Sequence, residues 1–129
     1  MGIREVIHTA RAPAAIGPYV QGIKASGSMV FTSGQIPLDP ETMEVVEGGV
    51  EAQAEQVFKN VLAVVEAAGG SAVHIVKNGI FLKNMADFEK VNKIYARFFG
   101  DMPPARFCVE VSRLPKDVLI EMDCIACLN

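Results

Sequence analysis

The sequence is short of the features that mark several large functional classes. It holds only three cysteines and two histidines, and its formal net charge is −3. A small, odd set of cysteines in apolar, strand-like contexts leaves no disulfide framework and fits a reducing cytoplasm. The acidic balance argues against nucleic acid as the main partner, because binding phosphates requires a basic face. No run of about 18 apolar residues is present, so no membrane span is expected. The opening "MGIREVIHTAR" mixes charge among its apolar residues and lacks the long apolar core of a signal peptide. Internal repeats, low-complexity tracts, Gly-rich phosphate loops and His-carboxylate metal clusters are all missing. Cys124 and Cys127 form a lone "CIAC" whose spacing on a strand points the thiols to opposite faces, so neither a metal nor a cofactor is expected there.

What is there is the composition of one globular domain spanning 1–129, 50% hydrophobic and 21% charged. Ala54, Val57, Phe58, Val61, Leu62, Val65 and Ala68 recur at helical spacing and predict a helix over 50–68, stopped by Gly69-Gly70. A second stripe of Phe88, Val91, Tyr95, Phe98 and Phe99 predicts another helix, with Asn84 as its N-cap and Gly100 at its end. Strands are predicted over 3–9, 19–25, 29–35, 73–82, 106–111 and 118–126, with "SGS" as a hairpin turn between the second and third. Two helices with one stripe each cover one face of a six-stranded sheet. The other face still carries apolar residues and should meet another subunit.

The stretch "MPPARFCVEVSRLPK" holds the sharpest chemical signal. Phe107, Val109 and Val111 alternate with Arg106, Cys108 and Glu110, so a guanidinium stands close to apolar neighbours. It either pairs with Glu110 or another acid of the chain, or its planar fork grips the carboxylate of a ligand. Glu121, in "VLIEMDC", is either a strand acid or a carboxylate that orients or deprotonates a water. The short turn between their strands should bring Arg106 and Glu121 near one sheet edge, within a subunit or across two. Asn92 interrupts the second apolar stripe and needs a partner, in a loop or in a pocket. Tyr19, Ser33 and Gly34 are either ordinary strand residues or the ring, hydroxyl and open backbone of a ligand site. Cys108 shares the side of Arg106 but has no evident His partner to make it a nucleophile.

Six segments in order, "APAAIGPYVQG", "TSGQIP", "NVLAVVEAAG", "VNKIYARFF", "PPARFCVEVSRLPKD" and "IEMDCIA", resemble the RidA/YjgF family, the reactive-intermediate deaminases. The resemblance implies an α+β, chorismate-mutase-like fold with a mostly antiparallel sheet, assembled as a homotrimer with its sites in the clefts between subunits. It implies hydrolysis of 2-imino acids, such as 2-iminobutanoate and 2-iminopropanoate, to 2-keto acids and ammonia without a cofactor. The family's key arginine falls on Arg106 and its acid on Glu121. Its pocket positions fall on Tyr19, Ser33, Gly34, Asn92 and Cys108. Phe107 and Asp123 depart from residues frequent in relatives. Some relatives are described as translation inhibitors or endoribonucleases, which the acidic balance disfavours here. A non-enzymatic binder of small metabolites would use the same clefts.

Overall fold

Gly27 decides how the first strands are laid out. It stands at φ 140° between β2 (Gly22–Ser26) and β3 (Ser28–Phe31), and a Cβ there would collide with the Leu128 carbonyl. One residue is too short a link to reverse a strand, since the tightest hairpin loops have two. The chain therefore bends and changes sheet where a hairpin was predicted. β2 pairs antiparallel with β1 (Ile3–Ile7), from Ile3 opposite Ser26 to Ile7 opposite Gly22. β3 pairs antiparallel with β6 (Ile120–Leu128). The computed structural model, which describes residues 2–129, thus has a two-stranded and a four-stranded sheet in place of one six-stranded sheet.

The larger sheet runs in the order β3, β6, β4 (Ile75–Leu82), β5 (Ala105–Glu110). β4 is antiparallel to β6 and parallel to β5, so the sheet is mixed. β5 and β6 are consecutive in sequence, yet β4 lies between them. Residues 73 and 74, predicted as the start of a strand, belong instead to a single helical turn, Ala72–His74.

Helix α1 (Val50–Ala67) buries Ala54, Val57, Phe58, Val61 and Val65, the stripe its sequence carries. It ends in a Schellman motif: Gly70 N–H donates to Val65 O and Gly69 N–H to Glu66 O, with Gly69 at φ 96°. Asn84 does act as a cap, but for the short turn Met85–Asp87, where its Oδ1 accepts the Ala86 N–H. Helix α2 (Phe88–Phe99) follows directly. The Phe58 ring meets Tyr95, Phe98 and Phe99 edge-on, with centroids 5.5–5.7 Å apart. Both helices pack on the face that carries Ile80, Leu82, Ile120, Met122, Cys124 and Ala126. The opposite face presents Met29, Phe31, Phe107 and Val109, and Phe31 is 69% exposed. The result is a single α+β domain. Among the described residues, no helix is long and apolar enough to cross a membrane.

Candidate functional site

β5 begins where the backbone has been fastened from outside. Val20 N–H donates to Pro104 O at 3.1 Å, and Arg4 Nη2 to the carbonyls of Met102 and Pro103 at 3.2 and 3.4 Å. Arg106 emerges two residues later, on the helix-bearing face, because its register partner on β4 is the fully buried Asn78. The guanidinium then lies among three rings: Tyr95 at 4.8 Å, Tyr19 at 5.2 Å and Phe88 at 5.7 Å from the ring centroids. Its Nη1 donates to Asn92 Oδ1 at 2.6 Å. Among the described residues it makes no ion pair with a carboxylate. Glu110, the acid the sequence offered, instead accepts the Met85 N–H at 2.9 Å and fixes the turn that leads into α2.

Ile16, Tyr19, Phe88, Arg106, Phe107 and Cys108 line a cavity of about 260 Å3. Burial pushes the Cys108 thiol up, against the opposing pull of Arg106, so the residue remains a neutral thiol. Beneath Arg106, Asn78 Nδ2–H donates to the Tyr95 hydroxyl at 3.0 Å. Burial raises the Tyr95 phenol to about 12, so its ring faces the guanidinium in neutral form.

Glu121 lies elsewhere. It stands on β6 opposite Phe81, on the face away from the helices, three positions further along β4 than Asn78. Strand parity therefore points Arg106 and Glu121 of one chain to opposite faces of the sheet. The expectation that a short turn would bring them to one edge fails within a chain, because β4 separates their strands. Glu121 packs on Gly34, where a Cβ would collide with its Oε2. Residues 32–35 run beside β6: Thr32 Oγ1 accepts the Cys124 N–H at 2.9 Å, and Gln35 and Met122 exchange backbone bonds of 2.8 and 3.1 Å. Ser33 is exposed beside Gly34. Burial, and then the neighbouring Asp123, push the Glu121 carboxyl above its ordinary value.

The structure therefore sorts the sequence-predicted residues into two groups. Arg106, Asn92, Tyr19 and Cys108 gather on one side, and Glu121, Gly34 and Ser33 on the other. Sequence reasoning missed Phe88, Tyr95 and Asn78. The aromatic pair read as core because both lie on the apolar stripe, although Asn92, which sits between them, was the available signal. Cys124 and Cys127 do point to opposite faces, and no group of three metal-ligating side chains occurs among the described residues.

Comparison with known proteins gives the arrangement a lineage. The family model for endoribonuclease L-PSP matches residues 9–128. The 2-iminobutanoate/2-iminopropanoate deaminase of Salmonella typhimurium is 56% identical over 125 residues, 95% of this chain and 96% of that protein. A RutC family protein of Pyrococcus horikoshii is 53% identical, covering 96% and 98% of the two chains. The YjgF gene product of E. coli superposes with a TM-score of 0.76 at 52% identity, covering 97% of this chain and 99% of that one. E. coli TdcF, solved with bound serine, does so with a TM-score of 0.76 at 48% identity, over 97% and 99%. With matches of this extent in both sequence and structure, the chain belongs to the endoribonuclease L-PSP family, the group also called RidA/YjgF.

Proposed function

We propose that this protein hydrolyses 2-imino acids such as 2-iminobutanoate and 2-iminopropanoate to 2-keto acids and ammonia, as a cytoplasmic homotrimer whose sites are shared between subunits. The observation that carries the reading is the state of Arg106: a half-buried guanidinium with three rings and one neutral amide around it and, among the described residues, no carboxylate paired to it. A cation so placed is matched by a small carboxylate from outside. The deaminase name of the Salmonella typhimurium relative supports the choice of substrate, and the serine bound in TdcF is a ligand of similar size with a carboxylate.

In this reading the fork of Arg106 holds the substrate carboxylate, and Asn92 holds the fork. The cavity wall of Ile16, Phe88 and Cys108 receives the substrate's carbon chain. Glu121 of a second copy, backed by Gly34 and Ser33, reaches the same cleft, since one chain points its own Glu121 to the opposite face. Glu121 takes a proton from water as the water oxygen bonds to the imine carbon. Glu121 returns that proton to nitrogen, which gives a carbinolamine. The hydroxyl proton then moves to nitrogen as the C–N bond breaks, so ammonia leaves as the ketone forms. The imine carbon is already electrophilic, so positioning supplies most of what the reaction needs. The apolar face with Met29, Phe31 and Val109 supports assembly through the side that presents Glu121.

The test couples the protein to a pyridoxal-phosphate threonine dehydratase or an amino-acid oxidase and times imine disappearance against ammonia release. A rate no faster than spontaneous hydrolysis would leave the same cleft as a metabolite-binding site without chemistry. The family's endoribonuclease description favours a nucleic-acid reading, which a net charge of −3 opposes. Saturable, salt-sensitive RNA binding near physiological ionic strength would reinstate it.

A further inference from the structure

Residues 8–21 connect β1 to β2 without forming a helix, and among the described residues their only ladder contact is the bridge from Val20 to Ala105. Every side chain from 9 to 17 is exposed, so no core packing holds this segment. Side-chain hydrogen bonds do: Thr9 Oγ1 accepts the Arg11 N–H at 3.1 Å, and Gln21 reaches furthest along the segment. Gln21 Oε1 accepts the Thr9 N–H at 2.7 Å, and its Nε2–H group donates to the carbonyls of Thr9, Ala12 and Pro13 at 3.0, 3.1 and 2.7 Å. One amide thus holds four backbone groups, the three carbonyls sharing its two N–H hydrogens, and the pattern of donors and acceptors fixes which end is oxygen.

The far end of the same segment roofs Arg106. Tyr19 N–H donates to Gly17 O at 2.8 Å, and Ile16 N–H donates to the Tyr19 hydroxyl at 3.2 Å. A Cβ on Gly17 would stand 3.4 Å from the Tyr19 ring and 3.5 Å from Arg106 Nη2, so the backbone there lies directly over the guanidinium. Ile16 is 92% exposed at the mouth of the cavity.

We infer that Gln21 is a positioning residue, which staples residues 9–13 so that Tyr19 and Ile16 close over Arg106 and its ligand. The kinetic part of the inference rests on the deaminase reading. The staple touches neither substrate nor core. Cutting it releases the roof and leaves the Arg106 fork and the Glu121 carboxylate in place.

Gln21→Met keeps the length and removes all four hydrogen bonds. Gln21→Glu keeps the acceptor for Thr9 but turns an anionic oxygen toward three carbonyls. Amide exchange at Ile16 should quicken in both variants and at Thr9 in Gln21→Met, and in both the Arg106 Nε–H resonance should leave the position set by the Tyr19 ring current. KM for the imine and Kd for 2-ketobutyrate should rise together by about tenfold, with kcat within about twofold of wild type. Unchanged exchange and resonance would overturn the inference, as would a moved resonance with unchanged KM and Kd. If the wild-type protein released no ammonia, the deaminase reading would fall, and the Arg106 resonance in Gln21→Met would decide this inference: moved, the staple stands; unmoved, it goes.

Discussion

At the scale of single residues, the question is what Arg106 and Glu121 each contribute. Losing a charge-assisted bidentate contact costs roughly 2–4 kcal/mol, so Arg106→Ala should lower kcat/KM by about 30-fold to 1,000-fold. The fold should survive, because Tyr95 beneath the guanidinium packs on Phe58 and Phe99 without it. Arg106→Lys should recover only part, since an ammonium presents no fork. Wild-type rates for Arg106→Ala at limiting imine would end the clamp reading. Glu121 adds a pH signature. Burial and Asp123 raise its folded pKa, so the carboxylate needed as base forms only above the ordinary carboxyl range of about 4.3. The acid limb of kcat/KM should lie above that value, and Asp123→Asn should move it down by relieving the like charge. The same shift makes the Glu121 contribution to stability full below the unfolded pKa and lost as pH rises through the folded one. A limb that ignores Asp123→Asn would assign the base elsewhere.

At the scale of elements, the segment beside β6 carries Glu121 on the backbone of Gly34. Gly34→Ala would drive a methyl group into Glu121 Oε2. A displaced base should reduce kcat by at least about tenfold while leaving 2-ketobutyrate affinity nearly intact, because Arg106 is undisturbed. Titration calorimetry beside steady-state kinetics reads both numbers. This scale also shows what the sequence could reveal. The stripes of α1 and α2 and the alternation along β5 and β6 are local periodicities, and they placed helices and strands within a few residues. Strand neighbours are not local. Nothing in the period of β4 says that it inserts between β5 and β6, and nothing in "SGS" says that Gly27 bends the chain into a second sheet. The site shows the same division. Arg106 and Asn92 were visible because their side chains are chemically unusual where they stand, whereas Tyr19 could pass as an ordinary strand aromatic and was marked out only by the family resemblance. Phe88 and Tyr95 were hidden because a ring that lines a pocket has the same spacing as one that fills a core. Gln21 left no trace at all, since its partners are backbone groups, which every residue carries.

At the scale of the whole molecule, the two groups of site residues lie on opposite faces of one sheet. A chain that works alone would have to do without one of them. The face with Phe31 and Val109 is therefore where assembly and chemistry should be linked. Phe31→Asp places a charge on a side chain that is exposed in the isolated chain, so the monomer should still fold. Buried unpaired in an interface, the same charge costs several kcal/mol. Sedimentation should show the assembly falling apart, and ammonia release should fall with it in the same sample. A monomer with full activity would require each chain to hold a complete site.

The rings around Arg106 also carry an optical consequence. The chain has no tryptophan and two tyrosines, and both of them, Tyr19 and Tyr95, stand beside the guanidinium. Near-ultraviolet emission from the unlabelled protein therefore comes from this one locality. A carboxylate that enters the cavity should alter tyrosine intensity without any added dye. Titrating with 2-ketobutyrate while watching tyrosine emission should give a saturating curve in wild type and a flat one in Arg106→Ala.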